Sequence, residues 1–472
     1  MTPPTVRRAT CNLCEAICGI EVTGTAASVD RVNGDPADPL SHGYLCPKSV
    51  ALIDIHHDTD RLRTPLRRRG SDWEPIGWDE AIELVARELV RIRRSHGADA
   101  VAAYYGNPVV HSLGAMTHGT LFGSLLRTAN RFSATSCDQL PHQVVSYLLY
   151  GHQLVLPEPD LERTAHLLVF GANPLASNGS MLTAPGMAKR LRAIRERGGR
   201  VVLFDPRRTE TAAAVDEHVF VRPGTDAAVL LGMLNVVLAE NPELPDYLDG
   251  AAEMQAAIAE FTPEAAARFS GVPAETIERL ALEFAASPAA ACYGRIGVST
   301  QRFGTLCHWA IQLLNLVTGN LGREGGTLVP DPAADVRRTI GPGGPLGRRR
   351  SRVRGLPSFA GEFPAATMAD EITTPGAGQV RALVTVSGNP VLSTPGGHRL
   401  DAALEQLEFM VAVDFYLNET TRHADVILPP TSALERDHYD LVFRAFAVRN
   451  TAKFTPALFP KQPGAKHDWE IF

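Results

Sequence analysis

Residues 167–174 read LLVFGANP and residues 382–390 read ALVTVSGNP, and the architecture follows from these two stretches. Each begins with a short, largely apolar run, too brief for a helix and suited to a buried strand, and then breaks at Asn-Pro. After the first, a helix is expected over Pro185–Arg197, a stop at Gly198-Gly199, and a second apolar strand over Val201–Phe204 that ends at Asp205. After the second, a helix is expected over Leu400–Leu407 and a strand over Phe409–Val413 that ends at Asp414. Strand, loop, helix, strand is a βαβ unit, and its strands run parallel because the connection must cross over the sheet. Further matches stay in step. Asp216 lies eleven positions past Asp205 and Asp425 eleven past Asp414, while Pro223-Gly224-Thr225 answers Pro429-Pro430-Thr431. Two related halves are therefore expected, each offering equivalent loops to the same type of ligand. Loops at the carboxyl ends of such strands are where open sheets hold nucleotides. No Gly-x-Gly-x-x-Gly follows Leu167–Phe170, so the nicotinamide dinucleotide fingerprint is missing.

Working outward, Asp79 is the expected N-cap of an amphipathic helix over Glu80–His96, followed by a strand over Ala98–Tyr105 and a helix over Gly114–Asn130. Short strands are expected over Ile20–Thr23 and 27–32. Helices are expected over Ala228–Ala239, Ala274–Ala286 and Thr305–Val317. The segment 331–354, dense in Pro, Gly and Arg, reads as a loop or linker.

The chain has 472 residues, 44% hydrophobic and 21% charged, which is globular and too long for one compact domain. Its net charge of −6 gives no global positive field, so nucleic acid is not an expected partner. The Arg-rich stretch Arg61–Arg69 is locally basic and can face an anionic cofactor. No apolar run reaches the roughly 18 residues of a membrane span. Arg7-Arg8 is not followed by an apolar segment of the secretory kind, and cytoplasmic residence is expected.

Four of the seven cysteines fall within the first 46 residues, as Cys11-x2-Cys14-x3-Cys18, then 27 residues, then Cys46-Pro47-Lys48. Three thiolates in one turn can wrap one side of an inorganic core, and the fourth returns from a distance to complete the ligation of a [4Fe–4S] cluster. Zinc also accepts four thiolates, but its structural sites commonly offer two short Cys pairs. Lys48 is placed to be a cationic bridge between the cluster and an anionic redox partner. Cys292 and Cys307 read as small buried hydrophobes.

Together, Cys11–Lys48 and the duplicated loops resemble the molybdopterin guanine dinucleotide oxidoreductases, the group of formate dehydrogenases, nitrate reductases and dimethyl sulfoxide reductase. Asp60–Leu66, Trp78–Ala81, Asp205–Thr209, Pro223–Asp226, Leu314–Asn320 and Glu419–Asp425 occur in the order such proteins show. The resemblance implies an α/β multidomain fold with a small β-rich iron–sulfur domain (1–57) and two pseudo-symmetric, Rossmann-like units. One is expected over 131–330 and the other over 58–130 plus about 355–472, with 331–354 as a loop. It implies two molybdopterin guanine dinucleotides gripping one Mo or W. Gly171, Asn173, Pro174, Gly224 and Thr225 would line the first dinucleotide path, with Asp205 or Asp226 accepting from guanine N–H groups and Arg207 meeting phosphate. Gly388, Asn389, Asp414, Glu419 and Thr420 would serve the second, and Lys48 would lie between cluster and pterin.

For the metal's protein ligand, two neighbours compete. Soft thiolate chemistry favours Cys137. Position favours Asp138, because the Asn and Gly that bracket the ligand in formate dehydrogenase and periplasmic nitrate reductase correspond here to Asn130 and Gly151. Gln139 stands where formate dehydrogenases carry histidine, which argues against formate oxidation. His142 is a candidate proton shuttle. The implied activity is two-electron redox on a small-molecule substrate, nearest assimilatory nitrate reductase in kind, with electrons leaving through the cluster to a redox partner protein or carrier. Rivals are a non-redox hydratase on the same scaffold and an electron-transfer or structural subunit without Mo. Asp468–Phe472 reads as a helix start with Asp468 as N-cap, and relatives continue into a further domain, so a truncated chain is expected.

Overall fold

The computed structural model describes residues 5–25, 28–240, 244–342, 344–447 and 449–472. They form two compact units. One comprises Met1–Cys137, Ile340–Val442 and Ala452–Phe472, and the other Asp138–Thr339 and Phe443–Thr451. The N-terminal cysteine-bearing segment belongs to the first unit, and the boundary anticipated near residue 130 falls between Cys137 and Asp138.

The first unit holds a three-stranded antiparallel sheet of Thr5–Thr10, Gly19–Gly24 and Val29–Gly34. The last was expected over 27–32. Its first residue, Ala27, lies outside the described residues. A seven-stranded sheet follows the order Asp72–Pro75, Leu66–Arg69, Val426–Ile427, Phe409–Val413, Ala382–Val386, Val101–Tyr105, Arg131–Ser133. The last five are mutually parallel, and the Leu66–Arg69 hairpin joins antiparallel at one edge. All five residues of Ala382–Val386 and of Phe409–Val413 are buried, because helices cover both faces. Side chains still alternate between two cores. Val101, Ala103, Val384, Val411 and Val413 meet Ala81, Leu84, Leu89 and Ile92 of the helix Trp78–His96. Tyr104, Leu383, Met410 and Ala412 meet Met368, Ile372, Leu400 and Leu404.

The second unit repeats the plan on a smaller sheet, ordered Glu217–Val219, Arg200–Phe204, His166–Phe170, Ala290–Gly294 and wholly parallel. Leu168, Phe170, Val202 and Phe204 pack on the helices Asp226–Glu240 and Gly304–Val317, while Leu167, Val169, Val201 and Leu203 pack on Met187–Glu196. A short antiparallel pair, Glu158–Pro159 with Thr327–Leu328, stands beside this sheet.

The fold class is therefore the expected one, an α/β protein with a small β-rich N-terminal part and two Rossmann-like sheets. Local boundaries differ where backbone geometry outweighs pattern. The helix expected from Glu80 starts at Trp78 with Gly77 as cap, so Asp79 lies in the first turn, where it favours the positive helix end. Ala98–Ala100 is a 3-10 turn ahead of the strand. The helix expected over Gly114–Asn130 shrinks to a π-turn at Ala115–Gly119 and an α-helix at Thr120–Leu125, stopped by Arg127 at φ +51°. The last helix, Asp468–Ile471, is capped by His467 in a capping box with Glu470, not by Asp468. Segment 331–354 is mostly irregular, apart from the turn Arg337–Ile340.

Candidate functional site

The cysteines are gathered by backbone turns of the N-terminal sheet. Cys11 follows the first strand, and its N–H donates to the Cys18 carbonyl at 2.8 Å, closing the loop that carries Cys14. Cys46 caps the short helix Pro47–Val50, whose Ser49 hydroxyl reaches Cys11 Sγ at 3.1 Å and lies 3.8 Å from Cys46 Sγ. The return is set by a close approach at Gly34, where any Cβ would stand 2.1 Å from the Gly43 carbonyl oxygen. Cys11, Cys18 and Cys46 are buried and Cys14 is half-buried. Burial pushes the Cys11 and Cys18 thiols up and the Cys14 thiol up to about 11, with mutual repulsion adding to it, so the four groups act on one another. Lys48 is exposed and draws the Cys11 and Cys14 values the other way. Among the described residues no three His, Cys, Asp or Glu side chains close around a point for a single ion.

The duplicated loops match atom for atom. Asn173 Nδ2 donates to Glu210 Oε2 at 2.8 Å, Thr211 Oγ1 donates to Asn173 Oδ1 at 2.7 Å, and Leu175 N–H donates to Thr211 Oγ1 at 3.2 Å. In the other unit Asn389 Nδ2 donates to Glu419 Oε2 at 2.7 Å, Thr420 Oγ1 to Asn389 Oδ1 at 2.7 Å, and Val391 N–H to Thr420 Oγ1 at 3.1 Å. The backbones agree too, at φ −121°, ψ 70° for Asn173 and φ −118°, ψ 69° for Asn389. Pro174 and Pro390 each open a short helical turn, where a missing N–H costs nothing. Two positions before each Asn, Gly171 and Ser387 take positive φ, +53° and +47°. Ser387 is thus the structural counterpart of Gly171, and Gly388 is packed against Tyr104 and Gly106. Asp216 and Asp425 accept from Val201 N–H and Met410 N–H at 2.9 and 2.8 Å, tying each second strand to the loop beyond it.

Glu210 and Thr211 escaped the sequence reading although the signal was present. They follow Asp205 by five and six positions, as Glu419 and Thr420 follow Asp414. Asp205 and Asp414 stand at the carboxyl ends of their strands and accept from Arg207 N–H and Tyr416 N–H. Burial raises Asp414 to about 6. Asp226, at the start of Asp226–Glu240, is buried, accepts from Gln301 Nε2 at 2.8 Å and is raised by burial, with Asp205 adding to it. Arg207, two positions after Asp205, is exposed. Gly224 at φ +79° and Thr225, whose hydroxyl donates to the Arg222 carbonyl, form the turn ahead of that helix.

Cys137 and Asp138 share the short helix Thr135–Asp138. Cys137 packs against the core beneath Tyr104 and Met368 in the first unit. Asp138 lies in the second, 3.4 Å from Arg295, whose Nη1 also donates to Gln139 Oε1 at 2.6 Å. The flanking markers have structural work of their own: Asn130 Nδ2 holds the Asp99 carbonyl, and Gly151 ends the helix Leu140–Tyr150 in the left-handed conformation. His142 is buried and stacks on His308 at 4.5 Å. Burial, then Arg295, pushes it down to about 3, so it is neutral at physiological pH. Arg295 itself carries no sequence signature and is identified only by what surrounds it. Cys292 and Cys307 are buried in strand and helix, as expected.

Comparison with known proteins agrees. The chain is 26% identical to the thiosulfate reductase molybdopterin-containing subunit PhsA of Salmonella typhimurium, over 90% of this chain and 58% of that protein. It is 24% identical to the assimilatory nitrate reductase catalytic subunit of Bacillus subtilis, over 92% of this chain and 62% of that one. The chain thus spans about six tenths of the length of these relatives. Acetylene hydratase from Pelobacter acetylenicus shares the fold, with a TM-score of 0.79, 21% identity, and coverage of 98% of this chain and 68% of its own. No helix among the described residues is long and apolar enough to cross a membrane. Residues 4–58 match the molybdopterin oxidoreductase Fe4S4 domain and residues 61–472 match molybdopterin oxidoreductase, so the chain belongs to the molybdopterin oxidoreductase family.

Proposed function

We propose that Cys11, Cys14, Cys18 and Cys46 hold a [4Fe–4S] cluster and that the two Asn–Glu–Thr clasps each serve one pterin guanine dinucleotide. The clasps carry this reading, because a hydrogen-bonded triad repeated at the same place on two sheets points to two copies of one ligand. Asp205, Asp226 and Asp414 offer carboxyl oxygens to guanine N–H groups, and Arg207 offers its guanidinium to phosphate. Asp138 is the favoured protein ligand of Mo or W, since Cys137 is turned to an apolar core while Asp138 stands beside a guanidinium. A bound Mo or W supplies either two-electron redox chemistry or Lewis acidity.

Two reaction classes follow. Redox on a small molecule, with Lys48 easing electron passage to an external carrier, is supported by the names of the two reductase relatives. Hydration without net electron flow is supported at least as well. Acetylene hydratase shares the fold over nearly the whole chain. Metal and pterin analysis of the protein tests the shared part, with about four irons and one Mo or W expected per chain. Electron balance then separates the classes. Turnover that needs a reduced enzyme but consumes no reductant supports hydration, and stoichiometric consumption of an electron donor or acceptor supports redox. Asp138→Ala should change or abolish the Mo or W signal and Cys137→Ala should not.

A further inference from the structure

Asp38 is buried in the loop that leads the chain back to Cys46. Its Oδ2 accepts from Ser41 Oγ at 2.7 Å, from Ser41 N–H at 2.8 Å, and at 3.3 Å from the N–H of Gly19, the residue after Cys18. That approach needs glycine, since a Cβ there would stand 2.4 Å from Asp38 Cβ. Burial opposes the Asp38 charge, yet the Ser41 bonds and then Lys453 hold its carboxyl below the usual range, so it is ionised at neutral pH. Lys453 Nζ lies 3.3 Å from Asp38 Oδ1 and 3.3 Å from Asp35 Oδ2, and both carboxylates are buried. Arg8 also approaches Asp35, at 3.6 Å, but its side chain is 60% exposed, where water and salt screen it. The segment carrying Lys453 is fixed against the cysteine-bearing strands without help from its charge. Thr455 Oγ1 accepts from Thr10 N–H at 3.2 Å, and Leu458 and Phe459 join the core of Cys11, Cys18, Ile20 and Val22.

We propose that Lys453 is a positioning residue for the iron–sulfur site: its ammonium cancels the buried charge of Asp38 beside Cys18 and so raises the reduction potential of the cluster. This rests on the reading that the four cysteines hold a [4Fe–4S] cluster. The Cys18 thiol feels Cys11, Cys14 and Cys46, as ligands of one shared group do, and it feels Asp38 as well. A core held by four thiolates gains negative charge when it takes up one electron, and its potential follows the charges and hydrogen bonds around it. An uncompensated carboxylate nearby disfavours the reduced form, and a cation restores it; both effects are stronger in a buried setting than at the surface. Lys453 therefore works on the Cys18 side through Asp38, while Lys48 acts on Cys11 and Cys14. No bond is made or broken in this role. One electron passes from an external donor to the cluster, and the Asp38–Lys453 pair sets how tightly it is held.

The test uses the full chain carrying its cluster, purified without oxygen, at pH 8, well above the ordinary carboxyl range. The midpoint is read by electron paramagnetic resonance and visible absorption during stepwise reduction with dithionite, one electron per cluster. Lys453→Met keeps the bulk of the side chain and loses its charge. It should lower the midpoint by on the order of a tenfold loss of electron affinity, about 59 mV for one electron. Asp38→Asn should raise the midpoint, Lys453→Arg should leave it near wild type, and the double variant should fall between the two single ones. Opposite shifts separate this role from a structural one, in which the variants would lose iron or thermal stability without moving the potential of the cluster that remains. Unmoved midpoints, or shifts of the same sign in Lys453→Met and Asp38→Asn, overturn the proposal. If Lys453→Met does not retain the cluster, the Asp38→Asn shift decides alone. Iron and sulfide are measured in parallel. A wild-type chain without about four of each overturns the cluster reading and this proposal with it, whereas a full cluster with unmoved midpoints overturns this proposal only.

Discussion

Acid stability offers a direct test of the buried imidazole beside Arg295. His142 is held at about 3, against 6.5 in the unfolded chain, chiefly by burial and then by the Arg295 charge. A depressed histidine stabilises the fold above its unfolded value and withdraws that stability as pH falls, because the unfolded chain takes up a proton that the folded one refuses. Each pH unit between the two values costs about 1.4 kcal/mol, so roughly 3 kcal/mol should be lost from this group between pH 6.5 and 4. His308 is depressed in the same direction, and the raised Glu158 and Asp226 carboxyls oppose both as pH falls. The comparison is therefore made between wild type and His142→Gln rather than against an absolute curve. Trp309 lies in the second unit, while Trp73, Trp78 and Trp469 lie in the first. In a background with those three changed to Phe, urea unfolding followed by Trp309 fluorescence reports the relevant unit. The wild-type midpoint should fall more steeply than that of His142→Gln as pH drops from 6 to 4. Parallel slopes would refute the reasoning, since His142 would then be titrating alike in both states.

Asn315→Leu should destabilise the second unit by about 3–5 kcal/mol in the same assay, because the buried Asn315 amide bonds both the N–H and the carbonyl of Cys292 and the Ile311 carbonyl. Asn173→Ala and Asn389→Ala should each lower the pterin guanine dinucleotide content measured by mass spectrometry, and Glu210→Ala should act like Glu419→Ala; a loss confined to one clasp would count against their equivalence. Cys46→Ala should cost most of the bound iron while Cys292→Ala leaves it intact, read by iron analysis and the visible absorption of the cluster.

Much of this protein was legible from local pattern. The largely apolar runs of Ala382–Val386 and Phe409–Val413 were placed to the residue, because strands buried on both faces carry near-continuous apolar side chains bounded by turn residues. The cysteine spacing, the Asn-Pro turns and the eleven-residue offsets are likewise covalent facts of the chain, and they sufficed for the family and the duplication. Less legible were elements whose limits depend on neighbours. The Gly114–Asn130 segment contains small residues that suit a helix, yet it is broken by a π-turn and by Arg127 at positive φ.

The tertiary structure alone decided which polar groups meet. Asn173 and Glu210 are 37 residues apart in sequence, and Asp138 and Arg295 are 157 apart, so no local periodicity links them. Parallel sheets bring such residues together by stacking successive crossovers, which aligns the carboxyl ends of strands that are distant in the chain. Burial is equally invisible in one dimension: Glu158 reads as a surface acid between two prolines, and only packing deprives its carboxylate of water and of hydrogen-bond partners among the described residues. The sequence by itself determined the family this chain belongs to, through residue types and their spacing. Folding determined where protons and charges can reside, because the cost of a charge depends on what surrounds it in space.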